Sequence, residues 1–447
     1  MPSDQDLPAA ARLIALWDHL GIGAAHVATQ VPADIAGLAS RHGDRLAGIV
    51  LCTPTRLDAT PFAAVAGRIL MVSGASGPTV GATTRAGERL AGAQRVVLAD
   101  YDAPGWADVA ADRSDELAPL MIGFLDRMAA NGAVPAAVLA GAARQGEHAG
   151  ITWRIEGAGP ALVLLPFFLA PSQWTPILPR LAARFTVVTL GGPHLGGVAA
   201  LEDRARAPTY RAMFRTLIDT MAPASDAAIL DVGCGAGSLD RLLARRPGAA
   251  HRITAIDANP FLLREAEALA AAEGLAGAIR FLEADAQALP FDDASFECAY
   301  SVTVLEECDA DRAIAEMMRV VRPGGRVGII VRAIDMPQWW NLPAPEAMRR
   351  KIDVPPSSVG SHGVADASLY RRMRQAGLRD LVCFPSLVTL DRPSGPIWRY
   401  REDHVLSLLT AEETQTWRAL CDAAGDEDLL FMAHPMHCAV GIKPGLE

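Results

Sequence analysis

The 447-residue chain reads as an α/β protein of two units. Three observations point there. Short apolar runs that suit buried parallel strands alternate with stretches of helical period. One such run, 228–233, leads into a glycine-rich turn, Gly233-Cys234-Gly235-Ala236-Gly237. The length also exceeds what one core ordinarily fills. The predicted division is 1–198 and 199–447.

Composition narrows the class. Hydrophobic residues make up 51% and charged residues 21%, which suits a compact globular chain. A formal net charge of -10 argues against a nucleic-acid partner, because a polyphosphate rewards clustered Lys and Arg. The N-terminus has no basic region followed by an apolar one, so no secretory signal is read. The greasiest segment, 158–170, is too short to span a bilayer and holds Pro160 and Pro166. Seven cysteines without regular spacing fit reduced thiols. The expectation is a soluble cytoplasmic protein with a small or uncharged partner and no membrane contact.

In the first unit, 13–23 has helical period, 25–28 is an apolar run, and a second helix is expected near 33–42. Strands follow at 46–52, 68–73 and 94–99, then a helix near 116–128. This series resembles the second half of an α/β-hydrolase, beginning just before its nucleophile elbow. The resemblance lacks the chemistry. Where that family has Gly-x-Ser-x-Gly, this chain has Ala28-Thr29-Gln30-Val31-Pro32. The acid position falls at Gly77 and the histidine position at Trp106, and none of the three can serve a triad. The runs at 151–154, 161–166, 174–183 and 185–190 resemble that fold's first half. The two halves, 1–146 and 147–198, thus stand in reversed order. A circular permutation explains this economically, and a gene-fusion remnant is the rival.

In the second unit, the run 228–233, the glycine turn and the leucines 239, 242 and 243 form a strand, turn and helix. Glycines there let a ligand approach the backbone at the strand's carboxyl end. Dinucleotide folds prefer G-x-G-x-x-G around a pyrophosphate, whereas this turn is G-x-G-x-G preceded by Asp231. The next strand, 252–257, ends in Asp257, an acid placed to accept from ribose hydroxyls. Another, 279–283, ends in Ala284-Asp285-Ala286. A helix at 310–320 reaches Arg322-Pro323-Gly324-Gly325, a turn before the strand 326–331, and 430–444 looks like a last strand.

As an ordered series, ILDVGCGAG, ITAIDANP, ADAQALPFDDASFECAYSVTVLEE and MMRVVRPGGRVGII resemble the class I S-adenosylmethionine (SAM)-dependent methyltransferases, in their small-molecule branch. The resemblance implies a Rossmann-like seven-stranded domain and SAM as cofactor. It implies that Gly233, Gly235 and Gly237 cradle the methionine part, with Asp231 near its amino group. Asp257, with Ala258 beside it, would bind the ribose. Asp285 and Ala286 would flank the adenine, and Ser301 would lie beneath the sulfonium.

Where the family usually reads Leu-Glu-His, this chain reads Leu305-Glu306-Glu307, so Glu307 is the candidate catalytic residue facing the acceptor. The Asn/Asp-Pro-Pro-Tyr signature of nucleobase methylation is absent at Tyr300-Ser301-Val302-Thr303. Acceptor specificity is expected in the segment from Asp335 through Trp339 and Trp340 to His362, and around Trp398-Arg399-Tyr400-Arg401 and His404. A helix at 210–221 is expected to cover SAM with Tyr210 or Phe214. His434 and His437 sit three apart on a strand and point to opposite faces, so no metal is expected. Methyl transfer to a small-molecule acceptor is the leading expectation. A non-catalytic SAM-binding or scaffold protein and an esterase with an accessory second unit are the alternatives.

Overall fold

The computed structural model describes residues 7–102, 108–130, 143–167, 170–248, 250–357, 359–391, 393 and 395–445. The chain divides into two compact units, Met1–Ala199 and Ala200–Glu447. Each builds its own sheet.

The first unit holds eight strands: β1 (Ala25–Thr29), β2 (Leu46–Cys52), β3 (Ile69–Ser76), β4 (Gln94–Asp102), β5 (Gln145–His148), β6 (Ile151–Glu156), β7 (Ala161–Leu164) and β8 (Thr186–Gly191). Their order is β4-β3-β2-β1-β7-β8-β6-β5. From β4 to β8 every neighbour is parallel, while β6 runs antiparallel to β8 and to β5. β1 and β2 are buried along their whole length, which is why they read as unbroken apolar runs. Alternate residues serve opposite faces. Val27, Ile49 and Met71 meet Leu13 and Trp17 on one face. Ala28, Val50 and Leu70 meet Met121 and Phe124 on the other. The helix Ala9–Leu20 stops at Gly21, whose φ of 70° lets its amide turn back to the last turn's carbonyls. β5, unforeseen in the sequence, is a polar edge strand with no apolar alternation to announce it.

The second unit holds β9 (Ala228–Val232), β10 (Arg252–Asp257), β11 (Ile279–Glu283), β12 (Phe296–Val302), β13 (Val321–Arg332), β14 (Trp339–Trp340), β15 (Arg379–Cys383), β16 (Ser386–Leu390) and β17 (Met432–Ile442). The order is β11-β10-β9-β12-β13-β17-β14, with β15 and β16 also on β17. β11 to β13 are parallel and β17 runs against β13. The sheet has nine strands rather than the seven expected. β15 and β16 are one path broken at Phe384-Pro385, where proline has no N–H to give, and Trp339–Trp340 adds a two-residue strand. The turn expected at Arg322–Gly325 is instead a bulge inside β13, where the register to β12 shifts. From β9 the chain steps first to one side, to β10, and later to the other, to β12. The carboxyl ends of β9 and β12 therefore flank a topological switch point, where open α/β sheets bind ligands. No described helix is long and apolar enough to cross a membrane.

Candidate functional site

The glycine turn leaves β9 at this switch point. Gly233 and Cys234 both donate to the Ile256 carbonyl at 2.8 Å, which ties the turn to β10. Gly235 adopts φ 57° and donates to the Asp257 carboxylate at 2.8 Å. At Gly233, with φ 86°, an added Cβ would stand 2.2 Å from a methyl of Val304. Glycine is therefore required there by packing as well as by backbone. The other Asp257 oxygen accepts from the Asn259 amide at 2.9 Å. Asn259 in turn caps the helix Pro260–Ala272 by accepting from Phe261 and Leu262. Burial pushes the Asp257 pKa up and these two amides hold it down, the net direction being upward.

Below the turn lies a second pair of acids. Asp231 on β9 and Asp240 on the helix Ser238–Ala244 are both buried, and the Tyr300 hydroxyl donates to Asp240 at 3.0 Å. Burial first, and then the partner's charge, pushes the Asp231 pKa well up. The two carboxyls cannot both ionise cheaply, so the pair holds a proton between them. Arg241 next door is committed elsewhere: it reaches Glu202, Glu273 and the Ala236 carbonyl.

The remaining candidates separate. Ala258 is exposed directly after Asp257, and Asp285 is exposed at the end of β11, accepting from the Gln287 amide at 2.8 Å. Ala286 lies beside it, partly buried. Ser301 is fully buried and its hydroxyl donates to the Val232 carbonyl at 2.8 Å, so it joins β12 to β9 and has no free donor to offer upward. Glu307 lies nearer the surface. Its side chain is 49% exposed and reaches only Arg332, at 3.8 Å. Its neighbour Glu306 is fully buried and accepts from the Arg332 amide at 2.8 Å. Thr303, at φ 59°, turns the chain after β12, and the helix starts later, at Ala310, capped by Asp309. Thus the fold aims the first of the two glutamates inward.

The two strand histidines do not converge. His437 sits between Asp335 and Tyr370, each at 2.8 Å, whereas His434 lies in the field of three arginines. Trp340 packs edge-on against Trp398 and Trp417 within the insertion's own core, and Trp339 is 43% exposed. A cavity of about 500 Å³ lined by Trp339, Trp340, Arg349, Leu420 and Glu427 shares no residue with the glycine turn. In the first unit, Gln30 is buried at the end of β1 and its amide donates to the Thr53 hydroxyl at 3.0 Å. Gly77 precedes the helix Pro78–Arg89, and Trp106 lies outside the described residues.

A turn with Asp231, Asp240 and Asp257 beside it is an acidic setting. It suits a cofactor with a sulfonium, an ammonium and hydroxyl donors, and it opposes a pyrophosphate. Residues 229–325, from β9 into β13, match the family model described as a methyltransferase domain. Over these residues the chain carries a methyltransferase domain. The O-methyltransferase resE of Aspergillus sclerotiorum is 34% identical over 184 residues, covering 40% of this chain and 64% of that protein. The ubiquinone/menaquinone biosynthesis C-methyltransferase UbiE of Hahella chejuensis is 34% identical over 122 residues, 27% of this chain and 49% of that protein. A malonyl-acyl-carrier-protein O-methyltransferase of Pseudescherichia vulneris is 35% identical over 138 residues, 31% and 51% respectively. The chain thus spans between about half and 64% of the length of these relatives.

Proposed function

We propose that the second unit transfers the methyl group of SAM to a small-molecule acceptor by direct displacement, and that the first unit is non-catalytic. The observation that carries this is the Gly235–Asp257 link, an acid fastened to a glycine turn at the switch point of a parallel sheet. The turn's backbone would hold the methionine part, with Asp231 near its ammonium, Asp257 on the ribose, and Asp285 and Ala286 at the adenine. Bound SAM supplies an already activated methyl group. The chain then has to align the acceptor and exclude water. Glu306, buried beyond the end of β12, takes the acceptor-facing role that the sequence suggested for Glu307, which stays as an outer partner of Arg332. The relatives named for O- and C-methylation of small molecules support an acceptor of that size.

For the first unit we propose a circularly permuted α/β-hydrolase-like sheet. Supporting this, β1 opens the chain yet lies mid-sheet beside β7. Reading 145–191 before 25–102 gives the chain order β5-β6-β7-β8-β1-β2-β3-β4, which differs from the spatial order only by the exchange of β7 and β8. The cysteines are free thiols, which fits the cytoplasm. Titration of the full chain with SAM tests the main reading. Saturable one-to-one binding lost in Asp257→Ala supports it, and no binding to the unaltered chain overturns it.

A further inference from the structure

Three arginines meet in the second unit beyond the acidic cofactor side. Arg204 comes from the helix Gly196–Arg206, Arg332 ends β13, and Arg401 lies on the helix Gly395–Leu408. With them stand Tyr210, Glu306 and His434, all buried, as is Arg401 itself. The Arg204 guanidinium carbon lies 5.1 Å from the centre of the Tyr210 ring. Arg332 reaches Glu306 at 3.6 Å. Burial, with Arg332 and Arg204 adding their positive charges, pulls the Arg401 pKa down to about 10. Burial and the same three guanidinium groups hold His434 well below the usual histidine range, hence neutral.

The charges in this cluster do not balance. Arg332 has Glu306 and Glu307. Among the described residues, Arg204 and Arg401 make no side-chain hydrogen bond or ion pair, and the Nε of each is buried without an acceptor. His434 Nδ1 is buried without a hydrogen-bond partner beside them. Buried cations without a counter-charge are costly to fold around. Guanidinium groups are also the side chains that best fit a planar or tetrahedral oxyanion, through paired N–H donors. Position agrees with this. Glu306 follows β12, the strand beside β9, and Tyr210 lies within the electrostatic reach of Asp231, Glu306 and Arg204. Acids therefore line the side where a cationic cofactor fits, and arginines line the adjoining side.

We infer that Arg204, Arg332 and Arg401 form a binding site for an oxyanion carried by the methyl acceptor, so that the substrates are carboxylates or phosphates rather than neutral molecules. The inference rests on the methyl-transfer reading of this unit for its acceptor, and on the cluster alone for its anion.

The test uses the full chain saturated with S-adenosylhomocysteine. It is titrated with benzoate and phenyl phosphate, and with benzamide as the neutral control. At least one anion should bind ten times or more tighter than benzamide. Arg401→Gln and Arg204→Gln should each weaken that anion at least tenfold while S-adenosylhomocysteine affinity stays within twofold. Arg401→Met, which keeps the packed stem without the charge, replaces any variant that fails to melt cooperatively. Anions that bind no better than benzamide, or equally in the variants, overturn the site. Variants that lose S-adenosylhomocysteine but hold 5′-methylthioadenosine, which lacks a carboxylate, would hand the cluster to the cofactor's own carboxylate and overturn the acceptor assignment. If S-adenosylhomocysteine does not bind the unaltered chain, the methyl-transfer reading fails, and the anion titration still decides this one.

Discussion

Gly235 donates its amide to Asp257 across 2.8 Å, and through that single bond the second strand's acid holds the first strand's turn. On the proposed reading this geometry would couple cofactor affinity to the shape of the turn. Each carboxylate oxygen already accepts one amide and retains a lone pair for a ribose hydroxyl.

Removing Asp257 should therefore act twice. Asp257→Ala forfeits the ribose contacts and frees Gly235, and the expected loss in SAM binding is about 1.5–3 kcal/mol, as for hydrogen bonds to a charged group. Asp257→Asn keeps an acceptor for one amide and should fall between. Calorimetry giving the same affinity for the alanine variant and the unaltered chain would sink the assignment.

The Asp231–Asp240 pair predicts an unusual pH dependence. Burial raises the pKa of both carboxyls above their unfolded values, that of Asp240 to about 6, and the Asp240 charge raises Asp231 further. The folded state then binds more protons than the unfolded one, so the contribution of Asp240 is full below about pH 4 and is lost as pH rises through about 6. Asp240→Asn keeps an acceptor for Tyr300 and offers Asp231 a donor. The drop in melting temperature between pH 5 and pH 7.5 should be smaller in this variant than in the unaltered chain. Equal drops in the two would show that the pair does not share a proton.

How much of this was legible in the sequence depends on what set each feature. The glycine turn and the strand β2 were readable because local chemistry fixes them: positive φ needs glycine, and a buried parallel strand needs an unbroken apolar run. The burial of Glu306 and the exposure of Glu307 were not legible, because sequence position alone does not say which residue passes inward after the Thr303 turn. The stretch around Trp398–Arg401 drew notice for its aromatic and polar mixture. Burial of Arg401 is a tertiary event that no local pattern announces, since arginine ordinarily reads as surface. The alternation of strands and helices in the first unit was legible because its buried strands kept apolar runs between stretches of helical period.

The two adjacent glutamates give a paired comparison. Glu306→Ala leaves the Arg332 amide without its acceptor in a buried setting and should cost about 1–3 kcal/mol of stability. Glu307→Ala removes one exposed partner and should cost less than about 1 kcal/mol. Urea unfolding measures both. Should Glu307→Ala instead abolish methyl transfer at unchanged stability, the acceptor-facing role returns to Glu307.

In the first unit, Gln30→Ser restores a hydroxyl at the elbow position but no histidine. The variant, like the unaltered chain, should turn over p-nitrophenyl acetate no faster than buffer. Its stability should fall by about 1 kcal/mol, because the Gln30 amide no longer reaches Thr53. Sustained ester hydrolysis by either protein would return a hydrolytic role to this unit.

Trp339 and Trp340 are neighbours in sequence with opposite surroundings, and the contrast reaches the arginine cluster. Trp340 is buried edge-on against Trp398 at 5.3 Å and Trp417 at 4.8 Å, and its indole N–H donates to the Ile352 carbonyl at 3.2 Å. Trp340→Ala should cost about 3–5 kcal/mol, the range for a large buried aromatic. Trp339 has only an edge contact with Phe431, at 5.2 Å, and Trp339→Ala should cost about 1 kcal/mol or less. Trp398 and Arg401 lie three residues apart on one helix and so share a face. Loosening the packing under Trp398 should therefore disturb Arg401. Trp340→Ala should weaken benzoate binding in the presence of S-adenosylhomocysteine more than it weakens S-adenosylhomocysteine itself, whereas Trp339→Ala should change neither. Melting curves and the two titrations on the same preparations decide it. If Trp339→Ala were the variant that lost the anion, the acceptor would enter from the exposed face of the insertion, and the buried indole would be packing alone.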